Sequence, residues 1–475
     1  MLNNNPILIT DSYKASHFNQ YPPGAGGLFF YVEARKGGLY PDTLFFGLQI
    51  FLKEYMTRRI TIQNIEEAKE FFKNHGEPFN ENGWRYIVEN YNGYFPVTIK
   101  AVPEGWLIPE GNVLVTIECE DPECFWVVGY LETALLRAVW YPCTVATNSY
   151  NCKKVINEYL NLTSDDPKVG LPFKLHDFGA RGVSSHESAC IGGAAHIVNF
   201  TGSDTIEGIL TANKYYNCKM AAFSIPAAEH STITSWGKDN EIEAYRNIMK
   251  QYAKPGTVLA CVSDSYDIYR VCEEFWGGEL KQMIIDSGAT LVVRPDSGDP
   301  QWTVLHVIET LGKKFGFTVN NKGFKLLNYV RVIQGDGINI NTIKDILSRL
   351  YINGWSTDNV NFGMGASLLQ HLHRDTLRFA MKCSSIDIDG GWKDVFKDPV
   401  GDHSKISKSG RISLYQKDQA HGRSQYVTMR IDEFEAMDPT MKKFYTEVLR
   451  LVYSNGILKN EITFDEVRQG TRLDF

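Results

Sequence analysis

The sequence predicts an α/β fold, in which an incomplete, irregular α/β barrel is joined to a second, α+β domain. Two observations carry that expectation. A short apolar run followed by a loop rich in Gly, Asp, Ser or His recurs seven times between residues 173 and 367. Segments with apolar residues at i, i+3 and i+4 separate these loops, as amphipathic helices do. The spacing of about 25 to 40 residues is that of a βα unit.

Taken in order, 97–102 (VTIKAV) and 113–117 (VLVTI) read as short strands, the second entered through a turn at Glu110-Gly111. A helix follows at 125–141 (FWVVGYLETALLRAVWY). The seven repeats then run FKL before HDFGARG, IVNF before TGSDT, AFSI before PAAEHST, VLACV before SDSYD, TLVV before RPDSGD, VRVI before QGDGIN, and VNF before GMGAS. The helices between them are read from HESACIGGAAHIV, DIYRVCEEFW, QWTVLHVIETLGKKF and INTIKDILSRL. Beyond about residue 378, FAMKCSSIDI, GRISLYQK, QYVTMRI and FYTEVLRLVYSNGIL give short strands with turns at DGG and SNG. Strands at both ends of the chain suggest one α+β domain built from 1–150 and 378–475, with the barrel inserted as 151–377. In a barrel the loops after the strands gather at one end and form the site. A doubly wound sheet would make only some of its loops polar. Here all are, which favours the barrel.

Composition removes several classes of function. The 475 residues carry 49 Lys plus Arg against 56 Asp plus Glu, a net charge of -7, which is wrong for a protein that coats nucleic acid. A few local basic groups can still hold a small anion. The 9 cysteines are odd in number and form no CxxC pair, so they read as reduced thiols of a cytoplasmic protein. Residues 1–10 lack a signal-peptide pattern, and no apolar stretch approaches the roughly 18 residues a membrane span needs. The chain also lacks GxxxxGK[ST], HExxH, GxSxG and a complete GxGxxG, which disfavours P-loop ATPases, zincins, α/β-hydrolases and Rossmann dehydrogenases.

Three loops set Gly beside groups that bind anions or hydroxyls. QGDGIN (334–339) and FGMGAS (362–367) let the backbone approach a phosphate closely, each before an expected helix. In RPDSGD, Arg294 and Asp296 fall on one side if the strand geometry persists, an Arg for phosphate and a carboxylate for ribose hydroxyls. A phosphorylated sugar is the leading ligand. Phe178, in HDFGARG with Arg181, either plugs the barrel or offers a stacking face to a planar ring. Asp204 is a helix N-cap or a site carboxylate, and His230 heads a helix as a structural or functional imidazole. HLHRD (371–375) reads as non-ligating, because HxH on a helix splays the rings apart. DSYKASHFNQYPPG (11–24) reads as a capped first helix, and DPVGDHSKISKSGR (398–411) as a mobile basic flap or merely a solvated loop.

Together, DSYKxSHxxQYPPG, LHDFGARGVSSxES, PAAEHSTITSWGKD, VSDSYDIY, RPDSGDP, VIQGDGIN and FKDPVGDxxKxSKxGR closely resemble the nicotinamide phosphoribosyltransferases. The resemblance covers nearly the whole chain. It implies a type II phosphoribosyltransferase fold, a homodimer with active sites at the subunit interface, and transfer from 5-phosphoribosyl 1-pyrophosphate to nicotinamide with Mg2+. It also implies ATP hydrolysis coupled through a phosphohistidine at His230. Phe178, with Tyr13 and Asp11 of a partner subunit, would form the nicotinamide slot, and Asp204 would accept from the amide. Arg35, Arg181 and Arg294 would contact phosphates, and Asp296 the ribose hydroxyls. Gly335, Asp336, Gly365, Ala366 and Arg374 would hold the ribose and 5-phosphate. Lys382, Lys397 and Lys405 would surround the pyrophosphate. The resemblance does not settle the metal ligands.

The chain departs from vertebrate-type members at Ala366 and Ser367, where they have glycines, at Ala180, where they have Tyr, and in a shorter loop after Arg35. A nicotinate phosphoribosyltransferase is the nearest rival, disfavoured because Asp204 would face the nicotinate carboxylate with like charge. A phosphosugar lyase or isomerase lacks a strand-end Lys for a Schiff base. A non-catalytic binding or signalling protein on this fold would not be expected to keep so many charged site residues.

Overall fold

The computed structural model describes residues 5–401, 406–417 and 425–473. They fall into two compact units, 5–147 with 373–472, and 148–372 with Leu473.

The first unit is built on an antiparallel sheet. Its strands lie in the order Gly391–Asp394, Phe379–Ile388, Ala25–Ala34, Val113–Cys119, Thr98–Ala101, Arg450–Ser454 and Ile457–Leu458. The Ala25–Ala34 strand is buried along nearly its whole length because it is central, with neighbours from both ends of the chain. Asp389 and Gly390 both take positive φ at the DGG turn, as a tight hairpin between twisted strands requires. Trp84 anchors the core, its ring 4.9 Å from Trp126 and 5.0 Å from Tyr130 in edge-on contacts. Apolar side chains buried this fully contribute about 1.5 to 3 kcal/mol each.

The second unit contains a parallel sheet. Its strands are β1 (Leu175–Asp177), β2 (Gly202–Ser203), β3 (Val258–Val262), β4 (Thr290–Arg294), β5 (Val330–Gln334) and β6 (Val360–Met364). Their order in space is β2-β1-β6-β5-β4-β3. Parallel bridges at Gly202–Phe223 and Ala227–Ala260 tie residues 223–227 to both edge strands, so the sheet curls upon itself. The helices α1 (His186–His196), α2 (Ile206–Tyr215), α3 (Glu241–Tyr252), α4 (Pro300–Phe315) and α5 (Ile340–Ile352) follow the strands in chain order. Asp299 caps α4 by accepting from the amides of Gln301 and Trp302, and Asn339 and Thr342 close a capping box on α5.

Several sequence expectations are corrected. IVNF is not a strand: Ile197–Asn199 form the turn that ends α1, and the strand follows as two residues. AFSI contributes a single isolated bridge, at Phe223, and Pro226 just after it has no amide to continue a ladder. DIYRVCEEFW is helical but widens into π-type turns over Val271–Glu279. His371 and His373 lie in a loop, not on a helix. Ser12–Asn19 is a 3-10 run whose preceding Asp11 makes no side-chain cap bond. Among the described residues, no helix is long and apolar enough to cross a membrane. All nine cysteines are free.

Candidate active site

At the C-terminal ends of β1 to β6, chain geometry delivers the polar side chains to one end of the sheet. Phe178 directly follows β1, and its amide donates to the Met364 carbonyl at 3.0 Å. Its ring packs against a small cluster of Ala260, Val292 and Ile333. Two glycines also lie close to the ring: a Cβ at Gly363 would sit 2.0 Å from it, and one at Gly335 3.5 Å from it. Any side chain at 363 would displace the aromatic ring. The same added Cβ at Gly335 would lie 3.3 Å from Asp296 Oδ1, so Phe178 and Asp296 flank one glycine. Gly365 lies against the Phe178 carbonyl, and Ala366 against Gly182.

Asp204 follows β2, with its amide held by the Asp177 carbonyl at 3.0 Å. It is not an N-cap. Thr205 occupies that position of α2, and no side chain caps the helix there. The Asp204 carboxylate instead accepts from the Ser224 hydroxyl and is exposed. Beneath it, burial holds the His176 imidazole below its usual range although Asp204 opposes that shift. Burial also pushes the Asp177 carboxyl up to about 6, against the Gly179 amide that it accepts.

The third feature is a charged cluster around His230. Its Nδ1 lies 3.1 Å from Ser265 Oγ, and its Nε2 lies 3.8 Å from Asp264 Oδ1 and 3.5 Å from Asp296 Oδ2. Arg294 Nη2 donates to Asp296 Oδ2 at 3.2 Å, so the spacing read from RPDSGD does bring the two together. Asp264 Oδ2 accepts from the Asp296 amide at 3.0 Å and from Ser297 Oγ at 2.5 Å. Its side chain is only 4% exposed. Among the described residues, Asp264 Oδ1 and Arg294 Nε are buried without a hydrogen-bond partner. Sequence reading gave Asp264 no role, yet it stands directly beyond β3 with one intervening Ser, the strand-end rule that picked out Asp204 and Asp296.

Within this unit, not every expected residue joins the cluster. Arg181 is 89% exposed, with Glu229 at 4.0 Å. Asp336 is exposed, with its carbonyl held by Gln334 Nε2 at 3.0 Å. Asp11, Tyr13, Arg35, Arg374, Lys382 and Lys397 belong to the first unit. There Asp11 accepts from Thr133 Oγ1 at 2.7 Å, Tyr13 is exposed, and Arg35 Nε donates to the Arg378 carbonyl at 3.3 Å. Burial lowers the pKa of the Lys382 ammonium; Glu132 opposes this, while Arg35, Arg374 and Lys397 reinforce it as neighbouring cations. These four cations of the first unit therefore stand near one another. Lys405 lies outside the described residues. The loop read as a mobile basic flap is pinned at its base, where Lys397 and Ser407 exchange hydrogen bonds and Lys408 pairs with buried Glu33.

Residues 173–456 match the model of the nicotinate phosphoribosyltransferase family, and 5–99 match that of the nicotinamide phosphoribosyltransferase N-terminal domain. A nicotinamide phosphoribosyltransferase of Xanthomonas campestris is 54% identical over 464 residues, covering 98% of this chain and 97% of that protein. The chain belongs to the nicotinate phosphoribosyltransferase family. A second family relative, the nicotinamide phosphoribosyltransferase of Acinetobacter baylyi, is 30% identical across 98% of this chain and 96% of its own. Among solved structures, human nicotinic acid phosphoribosyltransferase superposes with a TM-score of 0.62 at 16% identity, covering 98% of this chain and 93% of that one. The nicotinate-nucleotide pyrophosphorylase of Pyrococcus furiosus gives 0.64 at 15%, covering 99% and 96%. At such identities these two likenesses show the family fold and no more. The protein is thus a phosphoribosyltransferase enzyme of pyridine nucleotide biosynthesis.

Proposed function

We propose that the enzyme transfers the phosphoribosyl group of 5-phosphoribosyl 1-pyrophosphate to nicotinamide, forming nicotinamide mononucleotide and pyrophosphate in NAD salvage. The observation that carries this choice of base is Asp204. Its carboxylate caps no helix, and among the described residues only one of its oxygens has a protein donor. A carboxamide N–H can donate to the other oxygen, whereas a nicotinate carboxylate would meet like charge.

The Phe178 ring offers the planar base a stacking surface. Arg294 and Asp296 address phosphate and ribose hydroxyls, and the glycine turns at 335 and 365 admit the sugar phosphate close to the backbone. Pyrophosphate leaves, positive charge develops at ribose C1, and the pyridine nitrogen attacks from the opposite face. No protein nucleophile is needed, so these residues act by positioning and by charge.

Among the described residues no three acidic, His or Cys side chains form a metal cage. Asp264, with its unpartnered buried oxygen, and Asp296 fit Mg2+, which is commonly held by one or two carboxylates plus substrate oxygens. When bound, Mg2+ would neutralise charge on the departing pyrophosphate. ATP would be a second substrate, its γ-phosphoryl group passing to a ring nitrogen of His230 as ADP leaves, and then to water, releasing phosphate and free imidazole. Support comes from the half-exposed imidazole and the two carboxylates beside it. The family resemblance supports a homodimer in a cytoplasmic setting. Asp11 and the exposed Tyr13 would be offered to the partner's base slot.

Asp204→Ser is the direct test of base choice. We expect the ratio of kcat/KM for nicotinamide over nicotinate to fall at least about tenfold, the loss of one charge-assisted hydrogen bond. An unchanged ratio would remove Asp204 from base recognition.

A further inference from the structure

We infer that Ser224 is the positioning residue that holds Asp204 in its amide-selective orientation, so that Ser224 sets base preference without having to touch the base. The inference rests on the reading of Asp204 given above.

Ser224 sits on the one stretch of the curled sheet that is not a regular strand, yet its backbone is fixed from both sides. Toward β2, the Phe223 amide donates to the Thr201 carbonyl at 2.8 Å, and the Ser203 amide donates to the Phe223 carbonyl at 3.1 Å. Toward β3, the Ala228 amide donates to the Ala260 carbonyl at 3.0 Å, and the Ala260 amide to the Pro226 carbonyl at 2.9 Å. Ile225 adds an apolar anchor on the same Ala260, Val292 and Ile333 cluster that supports Phe178. A hydroxyl on this segment is therefore presented from a fixed point.

That hydroxyl donates to Asp204 Oδ1. A serine has a single O–H donor, and here it is committed to the carboxylate. Two consequences follow from this chemistry. Asp204 is held in one rotamer, with Oδ2 left for the N–H of a carboxamide. The Ser224 hydroxyl, having given its proton to Asp204, has none to give a carboxylate ligand. Without Ser224, Asp204 keeps its backbone bond to Asp177 but loses the contact that orients its side chain.

The test compares Ser224→Ala and Ser224→Thr with the unmodified enzyme. Initial rates would be measured with nicotinamide and with nicotinate at saturating 5-phosphoribosyl 1-pyrophosphate. For Ser224→Ala we expect KM for nicotinamide to rise about tenfold with kcat within about twofold, because the lost contact orients a binding group. The nicotinamide-to-nicotinate ratio of kcat/KM should fall by a similar factor. Ser224→Thr keeps the donor and should restore the ratio to within about threefold. If the unmodified enzyme prefers nicotinamide and Ser224→Ala leaves the ratio unchanged, Ser224 has no such role and the base assignment stands. Equal loss in the Ala and Thr variants would likewise overturn the inference, since the donor is present in one of them. A preference of the unmodified enzyme for nicotinate would overturn both readings.

Discussion

The two ends of the curled sheet treat charge in opposite ways. At the N-terminal ends of the strands, Lys174 is wholly buried, and its ammonium donates to the carbonyls of Thr357 and Val360 at 3.0 Å each. Beside it, Arg331 Nη1 donates to the carbonyls of Leu327 and Val330 at 2.6 and 2.7 Å. Both cations close on backbone. At the C-terminal ends, Asp264 and Arg294 retain buried atoms without hydrogen-bond partners among the described residues, and Asp204 and His230 are exposed. A buried polar atom left unpaired costs about 1 to 3 kcal/mol, a cost that Lys174 and Arg331 reduce by donating to backbone carbonyls and that Asp264 and Arg294 do not.

The comparison breaks most sharply at Arg294. Arg294→Ala should lower kcat/KM for phosphoribosyl transfer by about a hundredfold to a thousandfold, the range seen when a charge-stabilising donor is removed. Its thermal midpoint should move by only a few degrees. Steady-state rates beside a melting curve check both halves. A large stability loss with little change in rate would make Arg294 a structural cation like Lys174.

Lys174→Ala should behave in the reverse sense. It strips two buried carbonyls of their donor and leaves a cavity, a loss of about 3 to 4 kcal/mol by denaturant unfolding. The folded fraction should keep its KM values.

Asp177 lies between these extremes, buried at the open end with its carboxyl pushed up to about 6 from 3.8. The folded state therefore binds the proton more tightly than the unfolded chain. Its stabilising contribution is complete below about pH 4 and is lost as pH rises through 6. Asp177→Asn keeps an acceptor for the Gly179 amide and removes the charge. We expect it to be more stable than the unmodified protein by about 2 to 3 kcal/mol at pH 7.5, with the gain vanishing near pH 4. Unfolding midpoints across that range, compared between the two proteins, measure it.

Much of this contrast could be read in the sequence, because strand-end loops declare themselves. TLVV before RPDSGD and VRVI before QGDGIN are β-branched runs ended by charge and glycine, and both became strands at the expected place. IVNF misled for a local reason. Ile197 and Val198 are buried at the end of α1, and burial in a turn leaves the same apolar signature as burial in a strand. The strand that follows is short, and the His176 ring stands where a Cβ of Gly202 would go. Asp264 went unassigned because its importance comes from Asp296 and Ser297, more than 30 residues away. Ser224 carries no signal at all. A serine between Phe223 and Ile225 looks like any polar residue in an apolar run, and only the fold brings it to Asp204.

The most direct measurement is a product assay with purified protein, 5-phosphoribosyl 1-pyrophosphate and Mg2+, given nicotinamide or nicotinate, each with and without ATP. Nicotinamide mononucleotide as the main product, formed faster with ATP, is the expected result. Nicotinate mononucleotide as the main product, or no product from either base, would contradict it.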